Sequence, residues 1–171
     1  MPFLIDGFNL FHAAQSSLPQ GFDLGRASLM RMLGSWSATF QNKVTVVWDG
    51  TAPPAPLAGQ LGDQRVVEIY AGGVETADQR IARLLNADSG ARHIVVVSND
   101  KEVQRSARQR NARSLSCELF LKGVVKDMRR GRNHPGREPD EKQVGLEAAD
   151  ADHWLTAFGF DADEPPGFEH P

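Results

Sequence analysis

Short apolar runs alternate with segments of helical periodicity along most of the chain, and several of the runs have the length of a strand. Strands are expected over residues 2–5, 44–49, 65–70 and 93–98, with a short fifth strand at 114–116. Runs of this kind, rich in β-branched residues, are typical of strands that are buried on both faces of a sheet.

Apolar residues at helical spacing fill the intervals between these runs. Helices are expected over residues 24–40, 77–87, 101–110 and 117–128, with a last helix over 140–158. Strand–helix alternation over residues 2–128 predicts an α/β fold with a doubly wound parallel sheet flanked by helices. The carboxyl ends of its strands then lie along one edge of the sheet.

Three segments lack this periodicity. Residues 6–9 are expected to form a tight turn after the first strand, and the proline-rich residues 51–59 a loop that is either a binding loop or an inert crossover. Residues 129–139 contain no large apolar side chain and are typical of an exposed linker. The expected organisation is a folded domain over 1–128, a basic, proline-containing linker over 129–139, and an acidic helix and tail over 140–171.

Composition narrows the class of protein. The chain has 171 residues, of which 40% are hydrophobic, enough for one domain with a core. Its single cysteine, Cys117, excludes an internal disulfide and a cysteine-based zinc site, which favours a reducing cytoplasm. Asp6 interrupts the apolar start, unlike a signal peptide, and no apolar run approaches the roughly 20 residues of a membrane span.

The formal net charge of −3 is unevenly placed. Residues 92–137 carry 12 Lys and Arg against 4 Asp and Glu, whereas residues 138–171 carry 1 against 10. The basic segment indicates a surface for a polyanion, although solvated helix faces give the same count. The acidic tail either folds over the basic segment as a mimic of RNA or packs through Trp154 and Phe158 with no further role.

Four aspartates carry the candidate chemistry. Asp6, Asp49 and Asp100 each follow an expected strand, and Asp78 lies in the first turn of an expected helix. Carboxylates that converge on one crevice repel each other unless a cation lies between them, and oxygen-only donors suit Mg²⁺ or Mn²⁺. Each also has a plain structural explanation: Asp100 as a helix N-cap, Asp78 as a complement to a helix dipole, and Asp49 as a turn residue.

Other catalytic patterns fail. Asp49-Gly50-Thr51 is like the start of a haloacid dehalogenase phosphatase, but Val47 stands where that chemistry needs a nucleophilic aspartate. Gly72 and Gly73 are not followed by the Lys-Ser/Thr of a phosphate-binding loop. The histidines are scattered, so nucleophilic triads and zinc sites have no support.

The acids lie in motifs that resemble a known family. The segments Leu4-Ile5-Asp6-Gly7-Phe8-Asn9, Val46-Val47-Trp48-Asp49, Glu75-Thr76-Ala77-Asp78 with Ile81, and Val97-Ser98-Asn99-Asp100 resemble the NYN domains of the PIN-like nuclease superfamily, in particular the YacP-like branch. The resemblance covers residues 2–128. It implies a Rossmann-like (PIN-like) parallel sheet, here with an extra C-terminal helix, a divalent-metal cofactor (Mg²⁺ or Mn²⁺) and an RNA substrate.

The resemblance also implies roles for particular residues. Asp6, Asp78 and Asp100 would be the metal ligands, and Asp49 a further catalytic acid that holds a second ion or a water. The expected supporting residues are Asn9, Thr76 and Ser98, together with Glu75 as an ambiguous fifth acid and Asn99 where the family often has serine. The candidate RNA contacts downstream of Asp100 are Lys101, Arg105, Arg108, Arg110, Arg113, Lys122 and Lys126.

Three functions follow in order of support. The first is a metal-dependent endoribonuclease that hydrolyses RNA phosphodiester bonds with a metal-activated water, acting on mRNA at the ribosome, on tRNA or on rRNA. The second is a catalytically silent RNA-binding or ribosome-associated module on the same fold. The third is a small-molecule phosphohydrolase, which the basic segment disfavours.

Overall fold

The computed structural model describes residues 1–17, 25–52 and 66–132. They form a parallel sheet of strands β1 (Pro2–Asp6), β2 (Lys43–Trp48), β3 (Val66–Tyr70), β4 (Val95–Val97) and β5 (Arg113–Leu115). The helices are α1 (Gly7–Ser16), α2 (Arg26–Phe40), α3 (Ala77–Ala87), α4 (Lys101–Gln109) and α5 (Cys117–Arg132), with a 3₁₀ turn at Ala91–His93. The predicted α/β fold with a parallel sheet is confirmed.

The sheet is covered on both faces, because successive side chains of each strand point to opposite sides. In β1, Phe3 and Ile5 pack in a core with α1, α2 and α5. Leu4, between them, packs in a second core with α3 and α4. Each large side chain that is fully buried in this way contributes about 1.5–3 kcal/mol relative to an exposed one.

An aromatic cluster joins β1 to two helices of the larger core. The ring centroids of Phe3 and Trp36 are 5.1 Å apart, and each lies 5.5 Å from that of Phe120. The buried indole of Trp36 donates a hydrogen bond of 3.0 Å to a carboxylate oxygen of Asp127. This bond gives both buried polar groups a partner, which removes the cost of burying them alone.

The order of the strands places a crevice beside β1. The strands lie in the order β3-β2-β1-β4-β5. The chain therefore adds β2 and β3 on one side of β1, and then crosses over to add β4 and β5 on the other side. β1 pairs with β2 on one side and with β4 on the other, both in parallel. The carboxyl ends of β1 and β4 therefore form a topological switch point, where open α/β sheets bind their ligands.

One predicted element is wrong. Residues 6–9 do not form a tight turn, because α1 begins at Gly7 directly after β1. Asp6 is its N-cap and accepts a hydrogen bond of 3.1 Å from the backbone N–H of Asn9. A glycine after a strand is typical of a turn, but here the N-cap and the buried Leu10, Ala13 and Ala14 make the segment helical.

Other differences concern the bounds of elements. The fourth strand covers Val95–Val97 and not 93–98, because Ala91–His93 forms a 3₁₀ turn before it. α5 runs to Arg132, past its expected end at 128 and into the start of the expected linker. The predicted helix over 140–158, the acidic tail and most of the loop over 51–59 lie outside the described residues.

Among the helices in the described part of the chain, none combines the length and the apolar composition needed to cross a membrane.

We expect the substitution Gly7→Ala to lower the free energy of unfolding by about 1–3 kcal/mol, the usual cost of overpacking a core. A Cβ atom at Gly7 would lie 2.5 Å from two ring atoms of the buried Trp48. Urea denaturation at neutral pH measures the change.

Gly73→Ala is the matched control, since a Cβ atom there would meet no atom within 4 Å. Equal free energies of unfolding for the Gly7→Ala variant and the wild type would contradict this prediction, because they would show that the Trp48 ring can move aside without destabilising the fold.

Candidate active site

Asp6 stands at the carboxyl end of β1 and is fixed through both oxygens. It is a buried carboxylate, with 2% of its surface exposed. Its Oδ2 accepts hydrogen bonds from the side-chain amide of Asn9 and, at 3.1 Å, from the hydroxyl of Ser98. Asn9 and Ser98, two of the supporting residues expected from the sequence, therefore both orient Asp6.

Asp100 follows β4 and is tied to the same hydroxyl. The backbone N–H of Asp100 donates a hydrogen bond of 3.0 Å to Oγ of Ser98, so Ser98 links Asp100 to Asp6. Oδ1 of Asp100 caps α4 by accepting from the N–H of Glu102 at 2.6 Å and of Val103 at 3.3 Å. The capping explanation accounts for one carboxylate oxygen, and no donor among the described residues reaches the other.

Asp49 joins the end of β2 to the start of α3. Its Oδ1 accepts a hydrogen bond of 2.6 Å from the backbone N–H of Ala77, the residue before Asp78. Thr76 is the N-cap of α3 in a reciprocal capping box with Gln79. This network fixes the first turn of α3, and with it Asp78, against the carboxyl end of β2.

The four carboxylates interact electrostatically at this edge. Burial, followed by the charges of Asp6, Asp100 and Asp49, raises the pKa of Asp78 from 3.8 to about 6. Arg26, Arg80 and Arg83 form ion pairs with glutamates, and these pairs do not include any of the four aspartates. The site therefore concentrates negative charge that these residues do not neutralise.

The chemistry of this donor set fits a hard divalent cation. All four donors are carboxylate oxygens, which Mg²⁺ and Mn²⁺ prefer. Within the described part of the chain, no three acidic, histidine or cysteine side chains are arranged closely enough to hold an ion as they stand. Mg²⁺ keeps several of its waters in proteins, so binding through one or two carboxylates and intervening waters is compatible with this arrangement.

Two other expected site residues serve the fold. Glu75 forms ion pairs with Arg80 at 3.2 Å and Arg83 at 2.6 Å, so it is not a fifth unpaired acid. Asn99 accepts a hydrogen bond of 2.9 Å from the N–H of Cys117 and donates one of 2.7 Å to Glu118, which holds the start of α5 beside β4.

The expected RNA-contacting residues do not gather at the acids. Lys101 is the first residue of α4 and lies beside Asp100, but the helix then leads away from this edge. Arg113 opens β5 opposite Val95, at the amino end of the sheet, and contacts the sulfur of Met1. Arg110 lies near the same end, where it donates to the carbonyl of Leu85 at 3.4 Å.

The remaining four expected contacts lie along two helices. Arg105 and Arg108 lie further along α4 than Lys101, and Lys122 and Lys126 lie within α5, whose first turn is at the acid edge. Basic side chains near a helix C-terminus complement its dipole, which gives some of them a role within the fold.

Sequence reasoning did not assign a role to two residues beside the acids, Arg26 and Phe8. The guanidinium of Arg26 lies over the ring of Trp48, 4.0 Å from its centroid, and also over Tyr70 at 5.1 Å. Arg26 donates hydrogen bonds to Glu68 and to the Tyr70 hydroxyl. Phe8 packs edge-on against Trp48, with ring centroids 5.4 Å apart. The position of Phe8, two residues after a candidate ligand, is a signal in the sequence, whereas Arg26 has none.

Cys117 is also close to this edge, but it is not a nucleophile. Burial, with smaller effects from Asp6 and Glu118, raises the pKa of its thiol to about 12. The thiol is therefore neutral at physiological pH.

A doubly wound parallel sheet with a cluster of aspartates at its switch point is typical of a nuclease-like α/β domain of the PIN-like class. The sequence model of the YacP-like NYN domain family matches residues 3–155, and the chain belongs to that family. The match continues past residue 128, where the sequence predicts the end of the domain, and the division of the chain stays a prediction.

Solved structures agree with this assignment. The crystal structure of Rae1 (YacP) from Bacillus subtilis is similar to this chain with a TM-score of 0.59 and 28% identity, covering 76% of each chain. A crystal structure of a tryptophan-to-leucine mutant of the same Bacillus protein has a TM-score of 0.59 and 25% identity, covering 76% of this chain and 77% of the other. A comparison with curated proteins found no match.

We expect Asp78→Asn, in the presence of EDTA, to be more stable than the wild type at pH 7.5 by about 1 kcal/mol, allowing for solvent screening at a partly exposed group. The raised pKa means that ionisation of Asp78 costs more in the folded chain than in the unfolded one. The penalty is complete above pH 6 and disappears as the pH falls toward 3.8.

Urea denaturation of both proteins between pH 4 and pH 8 checks this. A stability difference that is independent of pH would contradict the raised pKa of Asp78.

Proposed function

We propose that this chain is a divalent-metal-dependent endoribonuclease. The observation that carries the proposal is that aspartates from four segments meet at the switch point, where burial and then the charges of the other three raise the pKa of Asp78 to about 6. Folding against this repulsion is costly, and a bound cation offsets that cost. Membership of the YacP-like NYN family supports a nuclease-like role for such a site.

In this proposal the metal ion and the residues around the aspartates have different roles. A divalent cation, when bound, supplies the positive charge that polarises the scissile phosphate and makes water a better nucleophile. Asn9 and Ser98 hold Asp6, and the cap of α4 holds Asp100, so that these carboxylates need little reorganisation to act. Asp49 holds the first turn of α3 and thereby sets the position of Asp78.

RNA is the proposed substrate on two grounds. The family assignment favours it, and the segment from residue 92 to residue 137 carries an excess of basic residues, of which Lys101 lies at the acid edge. The single cysteine favours action in the reducing cytoplasm. Phosphate contacts by basic residues add affinity that is independent of sequence and falls with salt.

One observation favours a second candidate, a catalytically silent RNA-binding module. Asp6, Asp49 and Asp100 each accept a backbone hydrogen bond that fixes the start of a helix. These roles alone would require aspartate or a similar residue at the three positions. Asp78 separates the two candidates, because no donor among the described residues reaches its carboxylate. Its charge lies in the first turn of α3 and complements the helix dipole, but its side chain accepts no hydrogen bond that fixes the start of a helix.

We expect Asp78→Asn to reduce the rate of RNA cleavage at least about a hundredfold, because it removes a charge that a metal ion and the transition state need. The assay follows an end-labelled single-stranded RNA with Mg²⁺, Mn²⁺ or EDTA, and the wild type should cut only with metal. Asn preserves the shape of the side chain, so the first turn of α3 is not disturbed.

Asp88→Asn is the matched control. Asp88 is an exposed aspartate at the other end of the same helix, and its carboxylate accepts from the N–H of Gly90 at 2.7 Å. It should cut RNA as the wild type does. If Asp78→Asn still cuts RNA with metal, the active site lies elsewhere. If the wild type binds RNA but never cuts it, the silent module is favoured. If the wild type hydrolyses p-nitrophenyl phosphate, a phosphohydrolase is favoured.

We also expect millimolar Mg²⁺ or Mn²⁺ to raise the melting temperature of the wild type by several degrees at pH 7.5. A ligand that binds only the folded state stabilises it in proportion to the logarithm of its concentration above Kd. Differential scanning fluorimetry measures the shift, which should be much smaller in Asp78→Asn and unchanged in Asp88→Asn. Equal shifts in all three proteins would show that the ion binds elsewhere.

A further inference from the structure

Phe8 is an exposed aromatic side chain immediately beside the acid cluster. It is the second residue of α1, next to Asn9 and two residues after Asp6, and 41% of its surface is exposed. Full burial of a phenylalanine stabilises a fold, and this ring forgoes part of that stabilisation at the edge where substrate is expected.

The ring of Phe8 is held in place by contacts with Trp48 and His12. It packs edge-to-face on the indole of Trp48, which is buried at the end of β2. Trp48 is itself confined between the backbone of Gly7 and the guanidinium of Arg26. His12, one turn further along α1, stacks beside Phe8 with an angle of 29° between the rings. These contacts fix the orientation of Phe8 before any ligand arrives.

Phe8 differs from the other apolar residues at this edge. Within the described residues, Val74 and Leu119 are the other large apolar side chains that are exposed beyond the carboxyl ends of strands. Both are aliphatic, and neither follows a candidate metal ligand so closely. Of these three exposed residues, Phe8 is the one with an aromatic ring, and nucleobases stack on such rings in single-stranded RNA complexes.

We propose that Phe8 is a stacking platform for a nucleobase next to the phosphate held at the acid site, which makes it a positioning residue for single-stranded RNA. The inference rests on the proposed ribonuclease function and adds how the strand is held. A base stacked on Phe8 adjoins Asp6, so the neighbouring phosphate comes to the aspartates. The affinity that this stacking contact supplies depends on the presence of the base and changes little with salt concentration. The affinity from lysine or arginine contacts with phosphate falls as salt rises.

The binding test uses a fluorescein-labelled single-stranded oligoribonucleotide in the Asp78→Asn background with Mg²⁺, in which cleavage is expected to be at least about a hundredfold slower. Adding Phe8→Ala should weaken binding about tenfold, as expected for the loss of one stacked base. Phe8→Trp should restore it, whereas Phe8→Leu, which keeps an apolar side chain without a ring, should not. The weakening should be the same at low and high salt.

Abasic riboses placed one at a time along the oligonucleotide give a second readout. In the parent protein, an abasic ribose at one position should cost as much affinity as Phe8→Ala does, and in the Phe8→Ala protein no position should matter. In the cleavage-competent chain, Phe8→Ala should raise KM more than it lowers kcat. Leu119→Ala is the control, since Leu119 is 50% exposed in the first turn of α5, at the same edge, and has no ring.

The outcomes separate this inference from the function it rests on. If the wild type binds and cuts RNA but Phe8→Ala binds equally well, or Phe8→Leu restores binding as fully as Phe8→Trp, the stacking platform is wrong and the ribonuclease stands. If the wild type neither binds nor cuts any RNA, both proposals fall. A pattern of abasic penalties that is the same with and without Phe8 also overturns the stacking role.

Discussion

The rest of the structure depends on the convergence of like charges at the carboxyl end of β1. Asp6 is buried there, and the charges of Asp49 and Asp100 act with it on Asp78. The fold tolerates this because three of the four carboxylates accept backbone hydrogen bonds that also start helices. The hydrogen bonds that stabilise these carboxylates in the folded chain therefore also set the positions of α1, α3 and α4. A change to one of the three carboxylates is expected to affect the helix that it starts.

Trp48 connects this charged edge to the apolar core. Its ring occupies the space that a side chain at position 7 would need, so packing requires glycine as the first residue of α1. On the other side Arg26 covers the ring, and Arg26 is in turn held by Glu68 and Tyr70 at the end of β3. A chain of contacts thus runs from the edge strand β3 to the acid at the end of β1, and it includes the ring of Phe8.

Sequence reasoning succeeded where the signal is local. The β-branched runs gave the strands to within about two residues, and the helix expected over 77–87 is α3 as observed. It failed at residues 6–9, where Asp-Gly-Phe-Asn has the composition of a turn but the buried stripe of Leu10, Ala13 and Ala14 continues as a helix. The basic segment was overinterpreted as one surface, because a count of charges does not show that α4 and β5 carry Arg110 and Arg113 to the opposite end of the sheet.

The sequence by itself determined the class of fold, and it singled out the four aspartates as candidates, because strand periodicity and the residue that follows each strand are properties of short segments. Only the tertiary structure decided what each side chain does there. It assigned Glu75 to ion pairs and Asn99 to the start of α5, it linked Asp6 to Asp100 through Ser98, and it brought Phe8 and Arg26 to Trp48. These contacts join residues that are distant in the chain or lie on different elements, and they depend on strand order and helix packing, which no local pattern encodes.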